Sequence, residues 1–179
     1  MEDAVIKTLS LYQPWGSAMR PDGEKRIETR SWGTKHRGPL AIHAAKRTDP
    51  DAVARLFNLH HKTPLGDYPT FPVGCVLGVV LLHDCVEMTD ATITATPEIE
   101  REWGDHRPGR FAWHTTPLVW LHDPIPAVGR QGLWEWDEPP EVAMAIKVAQ
   151  MTDGVAWLDD GDSQARLIRE KFGSKARVE

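Results

Sequence analysis

Cysteine is scarce in this chain: its 179 residues hold two, Cys75 and Cys85, ten positions apart in an apolar stretch. So thin a complement excludes a disulfide-stapled scaffold and reads as free thiols in a reducing compartment. Long hydrophobic runs are missing too, and no stretch approaches the roughly 20 apolar residues that cross a bilayer. The opening MEDAVIK has neither the basic leader nor the apolar centre of a secretory signal. A cytoplasmic protein without a membrane partner is therefore expected. The eight histidines are scattered, with no paired cysteines and no His-x-x-x-His spacing, so neither a metal nor a cofactor is expected. A glycine-rich phosphate loop, a serine-centred elbow, an internal repeat and a low-complexity tract are absent as well.

What is present is ordinary globular material, 41% hydrophobic and 26% charged, enough for one domain with a buried core. The net charge of −5 argues against binding a long duplex by bulk electrostatics. That average conceals an asymmetry. Between Arg20 and Arg47 eight basic residues face three acidic ones, so this segment is +5 and the rest of the chain −10. A local basic patch on an acidic body suits a specific anionic ligand.

Alternation predicts a strand over Val5–Tyr12, and Gln13-Pro14 is placed to open a short helix, with Pro21-Asp22-Gly23 as a turn. Further strands are expected at Arg26–Trp32, Leu40–Ala45, Gly74–Cys85, Arg110–His114 and Leu118–Ile125, with Pro117, Pro124 and Pro126 marking strand ends. Helices are expected at Asp49–His60, Pro97–Trp103, Glu141–Met151 and Asp162–Phe172. Short strands, many turns and few helices favour a small, largely closed sheet, and Pro139-Pro140 reads as a boundary. The expected division is 1–137 for the sheet domain and 138–179 for a helical extension packed on it, with a frayed end.

The densest chemistry lies in LSLYQPWGSAMRPDGEKRIETRSW, residues 9–32. Lys25, Arg26 and Arg30 supply cations, Glu28 a carboxylate, Trp15 and Trp32 flat surfaces, and Gln13 an amide fork. A nucleobase presents a π-face and donor and acceptor edges, and aromatic rings beside a few charged or amide groups match both. The first turn after Gln13-Pro14 would offer N–H groups to phosphate oxygens. Each residue also has a purely structural reading. Glu28 with Arg30 can be a surface ion pair, Trp15 and Trp32 core residues, His43 a satisfied buried histidine, and Arg110 and Trp113 strand packing. On strand parity Arg26, Glu28, Arg30 and Trp32 share one face and Lys25 the other, so Lys25 joins them only if the chain bends after Gly23.

Leu9-Ser10-Leu11 with Gln13-Pro14-Trp15, then Gly23-x-Lys25-x-x-Glu28-x-Arg30-Ser31-Trp32, His36-Arg37-Gly38 and Ile42-His43-Ala44, resemble the ASCH family of the PUA-like superfamily. Gly109-Arg110-Phe111-Ala112-Trp113 and Gly129-x-x-Gly132-x-Trp134 extend the resemblance to about residues 5–136. It implies an α+β fold: a PUA-like pseudo-barrel of mixed strands, short helices over its openings, here with extra C-terminal helices. It also implies a cleft that binds single-stranded RNA or a modified nucleobase or nucleotide, for which Gln13, Trp15, Lys25, Glu28, Arg30, Trp32, His43 and Arg110 are the candidates. Some members hydrolyse RNA or a modified nucleoside. Lys25 matches the lysine of an amidohydrolase set, but Glu28 stands where that set has its threonine nucleophile. An enzymatic reading would use Lys25 and Glu28 as proton-transfer partners. A third reading is a protein–protein adaptor, with a vestigial cleft and the C-terminal segment as docking surface.

Overall fold

The computed structural model describes residues 5–54, 71–158 and 166–168. Its strands are β1 (Val5–Gln13), β2 (Ile27–Arg30), β3 (Gly38–Thr48), β4 (Cys75–Glu87), β5 (Phe111–Pro126), β6 (Leu133–Asp137), β7 (Val155–Leu158) and β8 (Arg166–Ile168). They form one mixed sheet in the order β6-β1-β3-β4-β5-β7-β8, with β2 added to β5. The β1–β3 and β5–β7 pairs are parallel and the others antiparallel. The helices are α1 (50–54), α2 (Asp90–Ala95), α3 (Glu98–Glu102) and α4 (Pro140–Thr152). This is an α+β architecture dominated by its sheet.

Both faces of the central strands are buried, which is why β4 reads as continuous apolar sequence. Ile6, Ala41, Val76, Val79 and Val119 pack with Val142, Ala145, Ile146 and Ala149 of α4 on one face. Leu9, Leu11, Leu40, Ile42, Leu77, Val80, Leu82 and Trp113 fill the other. In β4 the residues of the second cluster change parity across Gly78, from Cys75 and Leu77 to Val80 and Leu82. Register shifts in the β4–β5 ladder on either side of Gly78 and Val79 produce that change. A side chain at Gly78 would run into the Trp120 ring and the Val119 carbonyl, so glycine permits the close crossing.

Most expected elements form, with informative differences. Pro117 does not end a strand; β5 runs through it as a 16-residue strand because it sits at one of these shifts, opposite Val80. There its missing N–H costs no regular ladder bond. Gln13-Pro14 opens no α-helix: the peptide is cis, and only a three-residue 3-10 turn, Ser17–Met19, follows. Asp49 does cap α1, accepting from the Ala52 N–H at 3.0 Å, while residues 55–60 of the expected helix lie outside the described residues. Within the expected Asp162–Phe172 helix, Arg166–Ile168 is instead strand β8, paired with β7. Short strands after a helix carry too little periodicity to announce themselves. Among the described residues no helix is long and apolar enough to cross a membrane, and both cysteines are free thiols.

Candidate functional site

Parallel pairing of β1 with β3 sets Ser10 beside His43, 33 residues away in sequence. Where β1 leaves this pairing, a cleft of about 740 Å³ opens, walled by β1, the end of β2 and its following turn, β3 and the 127–132 loop. Five predicted residues line it: Trp15, Glu28, Arg30, Trp32 and His43. Around them stand Tyr12, Lys46, Val128 and Arg130, which sequence reasoning did not single out.

Glu28 is the electrostatic centre. Its side chain is 10% exposed, with Arg30 Nε 3.1 Å from one carboxylate oxygen and Lys25 Nζ 3.1 Å from the other. The chain bends between Gly23 and β2, so Lys25 reaches Glu28 despite its opposite strand parity. Lys25 is 1% exposed and also donates to the Ile27 and Trp103 carbonyls, at 2.7 and 2.8 Å. Two of its ammonium hydrogens are thus spent on carbonyls and its charge on Glu28, and it underlies the cleft without lining it. Arg30 spans two strands, donating through Nη2 to the Ser10 carbonyl at 3.0 Å.

The aromatic rings are propped edge-on by others. Trp32 meets Trp113 at 4.8 Å between centroids and 88°, and Trp15 meets Trp103 at 6.2 Å and 89°. Trp113 is fully buried and donates its indole N–H to the Trp32 carbonyl, fixing that turn from beneath.

His43 fastens the 127–132 loop. Its Nε2 faces the Ala127 carbonyl at 3.2 Å, so that nitrogen carries the hydrogen, and Nδ1 lies 3.1 Å from Ser10 Oγ. Ser10 Oγ is also 3.1 Å from the Arg130 carbonyl and accepts from the Trp134 indole N–H at 3.1 Å. Burial holds the His43 pKa below its ordinary value, with the Ala127 carbonyl opposing. Gly129 passes directly over this pair, and a side chain there would collide with the His43 ring and Ser10 Oγ.

Two predicted contributors lie elsewhere. Gln13 is fully buried, with its amide spent on the Pro72 carbonyl at 2.7 Å and the Ser17 N–H at 3.1 Å. That also removes the expected phosphate-binding helix start. Arg110 braces the loop before β5, donating to the Asp105 and Thr29 carbonyls at 3.1 and 3.2 Å. Glu100 of α3 clamps the start of β2, accepting from the Arg26 and Ile27 N–H groups at 2.6 and 3.1 Å. Its burial pushes its pKa up against those two bonds. No group of three or more metal-ligating side chains occurs among the described residues.

The family model described as ASCH domain matches residues 9–118, well over half of the chain, from within β1 through β4 into β5. The chain belongs to the ASCH domain family. The protein named activating signal cointegrator 1, from Homo sapiens and from Mus musculus, is 44% identical over 82 residues. That alignment covers 44% of this chain and 14% of either relative, so the chain shares with them a small part of their length. The ASCH match ends before the 127–132 loop, so Arg130 and Gly129 lie beyond it.

Proposed function

We propose that this ASCH domain binds single-stranded RNA or a modified nucleobase in the cleft between β1, β2, β3 and the 127–132 loop. One observation carries the reading. The side chains of Lys46 and Arg130, from separate walls of an aromatic-lined cleft, make no hydrogen bond or ion pair with any described residue. Cations without a partner among the described residues, beside Tyr12, Trp15 and Trp32, match a ligand with phosphates and π-faces. Tyr12 and Val128 are exposed at the mouth, 50% and 80%, as an entering base requires. The PUA-like pseudo-barrel is the fold we assign, with 1–137 as its domain and the segment from 138 packed on it through α4. In this reading Gln13, Lys25 and Arg110 shape the cleft from outside it.

Fluorescence anisotropy of labelled single-stranded RNA at several salt concentrations tests the function. Saturable binding is expected, with Lys46→Ala and Arg130→Ala each weakening it and each flattening the log–log salt dependence by about 0.7 per lost phosphate contact. Salt-independent binding, or no binding at tens of micromolar protein, would refute it. No observation in the cleft favours hydrolysis, since a bound substrate meets Glu28 but not Lys25.

A further inference from the structure

Resting on that reading, we infer that the base seat of the cleft selects guanine. The seat is the edge formed by Arg30 and Glu28. Each Glu28 oxygen has one cation beside it, Arg30 Nε or Lys25 Nζ. A carboxylate offers about four lone-pair positions, so each oxygen keeps one to turn toward the cleft. Arg30 Nε is buried beside Glu28 without a hydrogen bond and Nη2 donates to the Ser10 carbonyl, which leaves Nη1 as the donor for a ligand, without a partner among the described residues. The cleft edge therefore runs donor, acceptor, acceptor.

The Watson–Crick edge of guanine runs acceptor, donor, donor: O6, N1–H and N2–H. It is the complement of this edge, with both carboxylate oxygens satisfied side by side and O6 against Arg30. Uracil brings one N–H flanked by two carbonyls, which sets a carbonyl against a carboxylate oxygen. Cytosine needs two free donors beside one acceptor, but Arg30 Nε is buried and Nη2 is bonded to the Ser10 carbonyl. Adenine can serve only one carboxylate oxygen. Lys25 acts here as a positioning residue: anchored by hydrogen bonds to the Ile27 and Trp103 carbonyls, its charge sits 3.1 Å from Glu28 and keeps the carboxylate ionised and acceptor-only. The Trp rings would clamp any base, so discrimination falls to this polar edge.

Isothermal titration of the wild-type protein with GMP, IMP, AMP, CMP and UMP decides the matter. GMP is expected to bind roughly ten- to a hundredfold more tightly than UMP and CMP. IMP, which lacks only the exocyclic amine, is expected to fall about tenfold below GMP. In Glu28→Gln, an amide N–H replaces one acceptor, so the GMP-over-IMP preference should vanish. The wild-type comparison of GMP with IMP does not depend on that variant folding. Equal affinity for all five nucleotides, or preference for another base, overturns guanine selection and leaves the nucleic-acid cleft standing. Absence of binding to every nucleotide and to single-stranded RNA overturns both.

Discussion

Lys25 and Lys46, 21 positions apart in the chain, play opposite physical roles. Lys25 is buried, with Glu28 and two backbone carbonyls as partners; Lys46 is exposed with none described. Removing a partner from a buried ion pair leaves an uncompensated charge, so Lys25→Met should cost about 3–5 kcal/mol. Lys46→Ala should stay within about 0.5 kcal/mol of the wild type while weakening RNA binding. Urea denaturation of the two variants beside the anisotropy titration checks both halves; a Lys25→Met variant as stable as the wild type would overturn the structural role assigned to this lysine. Residue types alone made Lys25, Glu28 and Arg30 visible as a charged group. What they did not reveal was which cation is committed, because that depends on the carbonyls of Ile27 and Trp103, and Trp103 lies 78 positions away.

At the scale of elements, sequence periodicity located β1, β3, β4 and α4 because each keeps a clear apolar face or a continuous apolar run. It missed the cleft's second wall. The loop 127–132 has no periodicity of its own, and its place is set by bonds from Ser10 and His43 to the Ala127 and Arg130 carbonyls. The signal that was available was Gly129, a glycine where the backbone must pass over an imidazole. Gly129→Ala should force the loop off His43, displacing Arg130. RNA affinity should then drop about tenfold, with a stability loss of about 1–3 kcal/mol from the strained contact. Anisotropy and hydrogen exchange of residues 127–132 would register this; unchanged exchange with weakened binding would mean that Gly129 itself touches the ligand. Gly78→Ala meets the Trp120 ring and the Val119 carbonyl instead, so its cost should appear in global stability with the cleft's affinity retained in the folded fraction.

Over the whole molecule, three histidines on different elements titrate in the same direction. Burial is the largest influence on His43, His106 and His114, and it lowers the pKa of each. In the unfolded chain these imidazoles return to about 6.5. As pH falls through that value the unfolded state takes up protons that the folded state refuses, so their contribution is complete above about pH 6.5 and is lost progressively below it. Glu100 runs the other way: its raised pKa makes the folded state the better proton acceptor just above the ordinary carboxylate range, so acidification there recovers some stability. On descending from neutrality the histidine loss begins at about pH 6.5, and Glu100 opposes it as its carboxyl takes up its proton. The urea midpoint should therefore fall between pH 7 and pH 5.5 at constant ionic strength. Replacing His43 with Gln, which keeps a donor for the Ala127 carbonyl and cannot become a cation, should lessen that slope. An equal slope in the variant would remove His43 from the acid response and assign it to His106 and His114. The same titration bears on function, because His43 fastens the loop that carries Arg130. If its protonation loosens that loop, RNA affinity should weaken with the same midpoint in the wild type and lose that component in the Gln variant, even as added protons elsewhere make the surface more positive.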